Sequence, residues 1–285
     1  VTFWHRVDDP QSYLVAQALL PIVSSHALDV ELVLVPAPAA DVDPEPILRV
    51  RHDLDDARLL AGHLGLDMPE PGTEPSATRV RLANAILLRP REGVEALRLA
   101  VEVTGALLGR DGARLSEIAE REGAMPGQDV RPRLEAAYRR LRSEGHYQGA
   151  VVTLDGEHFQ GALRLVHLRA RLGEPLPAEE TAAAPWQGAR VPVELFFSFR
   201  SPYSYVALER LLALREREPI DIVLRPVMPM VMRGLVVPRS KRLYIVRDAA
   251  REARRYGIAF GALCDPVGPG VERCLAAYVY AEALG

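Results

Sequence analysis

Cysteine is scarce in this chain. Only Cys264 and Cys274 occur in 285 residues, and they form no C-x-x-C pair. That excludes a disulfide framework and a dithiol redox motif, and makes a reducing, cytoplasmic setting the expectation. Both are expected to be ordinary buried or half-buried thiols. Excess charge is also missing: Lys+Arg number 35 against Asp+Glu 38, a formal net charge of -3. A near-neutral chain has no electrostatic case for binding nucleic acid or a membrane surface. No apolar run is long enough to span a bilayer, and no basic stretch followed by an apolar one opens the chain, which begins at Val1. The seven histidines (His5, His26, His52, His63, His146, His158 and His167) show no metal-ligand spacing, so no metal site is expected. What is abundant is hydrophobic residues, 48% of the chain. That suffices for sizeable cores, and the length favours two domains over one.

The sequence repeats itself. Asp9-Pro10-Gln11-Ser12-Tyr13 returns as Ser201-Pro202-Tyr203-Ser204-Tyr205, an offset of 192 positions. The same offset brings Pro46 and Arg49 onto Pro238 and Lys241. It brings Asp56, Ala57, Ala61 and Gly65 onto Asp248, Ala249, Ala253 and Gly257, and Arg81 and Ala85 onto Arg273 and Ala277. A register held this long points to duplication.

Each copy opens with a strand (1–5; 193–197), the second of which is apolar on both faces as in a buried central sheet. The proline motif, an apolar helix and a second strand (30–35; 220–224) complete a βαβ unit with a parallel pair. Copy one continues with helical patterns at 97–108 and 131–142. A strand at 150–154, the turn Asp155-Gly156, a short strand at His158-Phe159 and a helix at about 162–172 follow. Asp-Gly between apolar runs signals a hairpin. Residues 174–190 are rich in Pro, Ala and Glu and read as a linker. The expected organisation is a first domain at 1–174, a linker at 175–191 and a second domain at 192–285. By the repeat, Gly285 falls at position 93 of copy one, so copy two is expected to lack its own hairpin and last helix.

The segment Phe196-Phe197-Ser198-Phe199-Arg200-Ser201-Pro202-Tyr203-Ser204-Tyr205, followed by Pro238-x-x-Lys241-x-x-Tyr244-x-x-x-Asp248, resembles 2-hydroxychromene-2-carboxylate isomerases and kappa-class glutathione transferases. These are members of the DsbA-like branch of the thioredoxin superfamily. The resemblance implies an α/β chain of two tandem thioredoxin-like units, each with a helical insertion. It implies that Ser201 lies beside the glutathione sulfur and is catalytic, that Ser201, Pro202 and Lys241 help hold glutathione, and that Tyr203 and Ser204 face a small-molecule substrate of aromatic type. The Asn that the family carries before its lysine has no counterpart in Met230-Val231-Met232-Arg233-Gly234-Leu235. In copy one the equivalents are Asp9, Pro10, Arg49 and, at the family's cis-proline position, Ala150. A carboxylate beside a thiolate repels it, so copy one is expected to be a degenerate, structural or regulatory half. Relatives of this kind are often dimers.

The residues also have an ordinary reading. Ser-Pro and Asp-Pro both start helices well, with Ser or Asp as N-cap and Pro at N1. Lys241 fits a solvated helix start, and Arg247, Arg251, Arg254 and Arg255 fit a solvated face paired in part with Glu252. Met228, Met230 and Met232 suit either core filling or an apolar pocket. Three functions follow: a glutathione-dependent isomerase or transferase, a non-catalytic scaffold or binding module, and a thiol–disulfide oxidoreductase. The last fails on chemistry, since neither copy has a cysteine at the helix start.

Overall fold

The computed structural model describes residues 1–70, 75–177 and 186–284. The chain divides into two units, Val1–Leu176 and Pro177–Gly285. The central part of the linker expected at 175–191 lies outside the described residues.

In the first unit, β1 (Thr2–His5) and β2 (Glu31–Leu34) flank helix α1 (Pro10–Ser25). Five helices follow: α2 (Pro46–Leu64), α3 (Ala77–Leu87), α4 (Gly93–Leu108), α5 (Gly112–Glu122) and α6 (Gly127–Ser143). The hairpin β3 (Val151–Leu154) and β4 (Glu157–Gln160), a 3₁₀ turn (Ala162–Arg164) and α7 (Leu165–Arg171) close it. The sheet order is β2-β1-β3-β4, with β1 and β2 parallel and the other neighbours antiparallel. This mixed α/β arrangement, with a βαβ half and a ββα half sharing one sheet, is consistent with a thioredoxin-like fold. The hairpin turns through Asp155 and Gly156, both at positive φ (50° and 76°), the backbone that a two-residue primed turn requires.

Helix α1 is apolar on most of its circumference because it is central: Leu14, Val15, Ala16, Leu19, Ile22 and Val23 are all buried. They share one core with Phe3, Val152, Phe159, Leu97 and Leu168. At roughly 1.5–3 kcal/mol for each large apolar side chain buried, this core holds the loop before α1 in place. His5 reinforces it from within. Its ring nitrogens meet Ser12 Oγ (2.8 Å) and Thr104 Oγ1 (2.9 Å), tying β1 to α1 and α4.

The second unit has β5 (Val191–Phe197), α8 (Pro202–Arg215), β6 (Ile220–Pro226), a 3₁₀ turn (Met230–Arg233), α9 (Arg239–Arg255) and α10 (Pro269–Leu284). β5 and β6 form a parallel pair. The expectation that β5 is buried on both faces is not met. Val193, Leu195 and Phe197 are half-buried while Phe196 is 65% exposed. Among the described residues β6 is the only strand that pairs with β5, and the face of β5 that carries Pro192, Glu194 and Phe196 is exposed.

The two units repeat contacts as well as letters at the offset of 192. Thr2 pairs with Glu31 across β1 and β2, and Glu194 pairs with Val223 across β5 and β6. The N–H of Arg6 donates to Ser12 Oγ (3.0 Å), and that of Ser198 to Ser204 Oγ (3.2 Å). The N–H of Leu66 reaches Ala61 O, and that of Ile258 reaches Ala253 O, each at 2.9 Å. Gly65 and Gly257 end α2 and α9 at φ 63° and 65°. Side chains obey the rule too: Gln11 Nε2 donates to Asp56 and the Tyr203 hydroxyl donates to Asp248, both at 2.7 Å.

Candidate functional site

The proline motif places one residue of each unit at a helix tip. In the second unit Ser201 is the N-cap of α8 and Pro202 its first residue. The loop is pinned from behind, because the Ser201 N–H donates to Ser198 O (2.9 Å) and the Ser198 N–H to Ser204 Oγ. Ser201 Oγ accepts from the Ser204 N–H at 3.2 Å. That is the only hydrogen bond of this hydroxyl among the described residues, so its own proton has no acceptor there. Pro202 has no N–H, and the Ser204 and Tyr205 N–H groups turn to Ser201 Oγ and O; the helix dipole of α8 gives this tip partial positive charge.

Ser201 and Pro202 line a cleft of 490 Å³. Its walls are largely apolar, from Phe199, Tyr205, Val237, Ile245, Phe260 and Leu263. Tyr205 is fixed by donating its hydroxyl proton to Ala259 O (2.8 Å). The pair Arg200–Asp265 closes one side with two bonds, at 2.8 and 2.9 Å. Its guanidinium holds the Asp265 carboxyl below the usual carboxylate range. Arg242 also lines the cleft; Lys241, its neighbour on α9, does not.

The other expected contacts lie elsewhere. Ser204 is the buttress of the loop, not part of the cleft lining. Tyr203 donates to Asp248, which is 1% exposed and also takes Arg251 at 2.6 Å. Arg251 is therefore not on a solvated face: a buried carboxylate draws it in. None of Met228, Met230 and Met232 lines the cleft. The two cysteines are exposed, against the expectation of buried thiols, because 259–266 has no regular structure and α10 buries only Val271 fully. Cys264 is on the cleft wall. Sequence reasoning missed Arg200, Asp265 and Phe260; the first two lie far apart in sequence and carry no local signal.

In the first unit Asp9 is the N-cap of α1, its Oδ1 accepting from the Gln11 N–H at 3.0 Å. It lines a smaller cleft of 270 Å³ with Arg6, Arg49, Asp53, Gln148, Ala150 and Gln160 among its neighbours. Asp9, Arg49 and Ala150 thus meet at one place; Pro10 opens the helix beneath. Ala150 sits immediately before β3 at φ 59°, an unusual backbone for a residue with a Cβ. Arg6 is clamped by Asp8 (2.7 and 3.0 Å), and Arg49 is shared by Asp43 (2.7 Å) and Asp53. Burial pushes Asp9 up to about 6, with Arg6 opposing and the Asp53 and Asp8 charges adding to it. Burial would raise Asp8 as well, but its Arg6 partner outweighs this and sets it below the usual range. Asp9 and Ser201 are both N-caps with extended backbone, Asp9 accepting from the N–H two residues on and Ser201 from the N–H three residues on, and they differ in chemistry. Sequence spacing exposed the pair but not Asp53, Gln148 or Gln160, which come together only through tertiary structure.

No family model and no curated protein matches this chain. Among solved structures it is similar to a selenomethionine form of 2-hydroxychromene-2-carboxylate isomerase. The TM-score is 0.44 with 18% identity, covering 60% of this chain and 93% of that one.

Proposed function

We propose that the second unit is a glutathione-dependent isomerase or transferase in which Ser201 stabilises the thiolate of the bound tripeptide. The observation that carries this reading is the Ser201 hydroxyl: it caps α8 with its oxygen, keeps its proton uncommitted, and faces a cleft in the size range of small-ligand sites. A sulfur anion fits there, because it accepts from the hydroxyl at the positive end of the α8 dipole. Those interactions favour the charged form of a thiol and lower its pKa from roughly 8.5. Bound glutathione would supply the nucleophilic sulfur that the protein lacks at this position, either adding to an unsaturated substrate and leaving again or attacking an electrophile and staying attached. The chain's own part is to orient the sulfur, to place an apolar wall of Phe199, Phe260 and Leu263 against the second reactant, and to offer a cation from the start of α9. Of Lys241 and Arg242, the second is on the cleft wall.

We also read the two units as a tandem duplication, supported by the hydrogen bonds repeated at an offset of 192. A binding-module reading draws support from the exposed face of β5, where Phe196 stands uncovered.

The test is retention on immobilised glutathione. The wild-type chain is expected to be retained and eluted by free glutathione. Ser201→Ala is expected to flow through. Equal behaviour of the two proteins would refute the role of Ser201, and no retention of either would favour the binding module.

A further inference from the structure

We propose that the cleft of the first unit is a binding site for a small organic cation, a primary ammonium on a short aliphatic body, seated on Asp9. This site stands independently of the glutathione reading.

Asp9 is nine-tenths buried and lines the cleft. Its Oδ1 is occupied by the Gln11 N–H, while Oδ2 has no donor among the described residues. A buried carboxylate in this condition demands a counter-charge or a proton. The neighbouring cations are already engaged. From the loop before α1, Arg6 is held by both oxygens of Asp8. From α2, Arg49 is divided between Asp43 and Asp53, and Asp56 takes the Gln11 amide. The remaining charged group is Arg164, from the 3₁₀ turn after β4. The lining carboxylates Asp9, Asp53 and Asp56 equal the lining guanidiniums Arg6, Arg49 and Arg164 in number, but Arg6 and Arg49 bond to Asp8, Asp43 and Asp53 and neither donates to Asp9. A charged N–H donor at Oδ2 supplies what is missing.

The rest of the lining fits the same ligand. The side-chain amide of Gln148 makes no hydrogen bond with the described residues, and its oxygen is a second acceptor on the wall. Pro38, Leu60, Ala162 and Leu163 give the cleft an apolar side. At 270 Å³ it lies just below the usual range for drug-sized ligands, which suits a short alkyl chain. The fold thus presents one helix-tip position twice, with a hydroxyl suited to an anion in one unit and a carboxylate suited to a cation in the other. Burial already raises Asp9 to about 6, so a proton competes with the ammonium on the acid side of neutrality.

The experiment is isothermal titration of the whole chain with n-butylammonium, and with n-butanol and butyrate as isosteric controls. Butylammonium is expected to bind at about pH 7.5, and to bind roughly tenfold more weakly at about pH 5, where Asp9 is protonated. Asp9→Asn keeps the N-cap, since Asn caps as well as Asp, and is expected to leave the circular dichroism and melting profile folded while lowering affinity at least about tenfold. Butanol or butyrate binding as tightly as the amine would overturn the proposal. So would full affinity in Asp9→Asn, or no heat from butylammonium at millimolar concentration. Tighter binding of an N-acetyl-lysine amide than of butylammonium would replace the free amine by a protein lysine and overturn the assignment to a small ligand.

Discussion

At the scale of single residues, His5 and Asp9 carry opposing proton balances. Burial pushes the His5 imidazole down to about 3. Between that pH and its ordinary value of 6.5 the unfolded chain binds a proton that the folded chain does not, so this group makes stability fall as pH falls. Asp9 is raised to about 6. Between roughly pH 4 and 6 the folded chain holds a proton that the unfolded chain has lost, so this group makes stability fall as pH rises. Each slope is about 1.4 kcal/mol per pH unit, and in that window they offset one another. Asp9→Asn removes one of them. Relative to wild type its unfolding free energy is expected to rise by about 1.4 kcal/mol for each pH unit from 4 to 6; parallel stability curves would show that Asp9 titrates normally. Gly149 makes a steric case. A Cβ there would stand 2.8 Å from Arg6 Cβ and 3.2 Å from Val35 Cγ2, so Gly149→Ala is expected to cost roughly 1–3 kcal/mol in urea unfolding as an overpacked site. None of this was legible in the sequence, because burial of His5 and the crowding at Gly149 arise from β2, α4 and the loop before β3.

At the scale of elements, much was legible where the signal is local. The Asp155-Gly156 hairpin, the helices α4 and α6, and the βαβ opening of each unit follow from turn chemistry and periodicity carried by neighbouring residues. Burial of β5 was misread because an apolar strand is only as buried as the layers placed on it, and composition does not say which layers those are. Arg242 lies on the cleft wall and its neighbour Lys241 does not, because one step along a helix turns a side chain by about 100°. The helix tips allow a direct test. Ser201→Asp copies the cap of α1 onto α8. Stability is expected to stay within about 0.5 kcal/mol of wild type, since Ser and Asp cap comparably, while retention on glutathione is lost to carboxylate–thiolate repulsion. Undiminished retention would mean that the ligand sulfur does not lie at this tip.

At the scale of the whole molecule, some contacts recur in both units at an offset of 192. Position 11 or 203 reaches back to the aspartate at 56 or 248, joining the proline motif to the helix after the second strand. The pairing was foreshadowed by Asp56 falling on Asp248, although the bond itself was not. Asp248 is the more deeply buried and holds both Tyr203 and Arg251. Asp248→Ala is therefore expected to destabilise the second unit by roughly 3–5 kcal/mol, the cost of stranding a buried partner. Asp56→Ala, at a half-buried site with one neutral donor, should cost about 1 kcal/mol. Equal losses in chemical denaturation would contradict the difference in burial. The two units share a frame and differ in the group at its tip, a neutral hydroxyl in one and a carboxylate in the other. The most direct measurement is the pKa of the glutathione thiol bound to the second unit, read from ultraviolet thiolate absorbance during a pH titration. A value well below the roughly 8.5 of a free thiol, moving back toward it in Ser201→Asn, where the cap is kept and the hydroxyl is gone, is the expected result. A bound thiol that titrates as it does in water, or one unmoved by the substitution, would contradict the account.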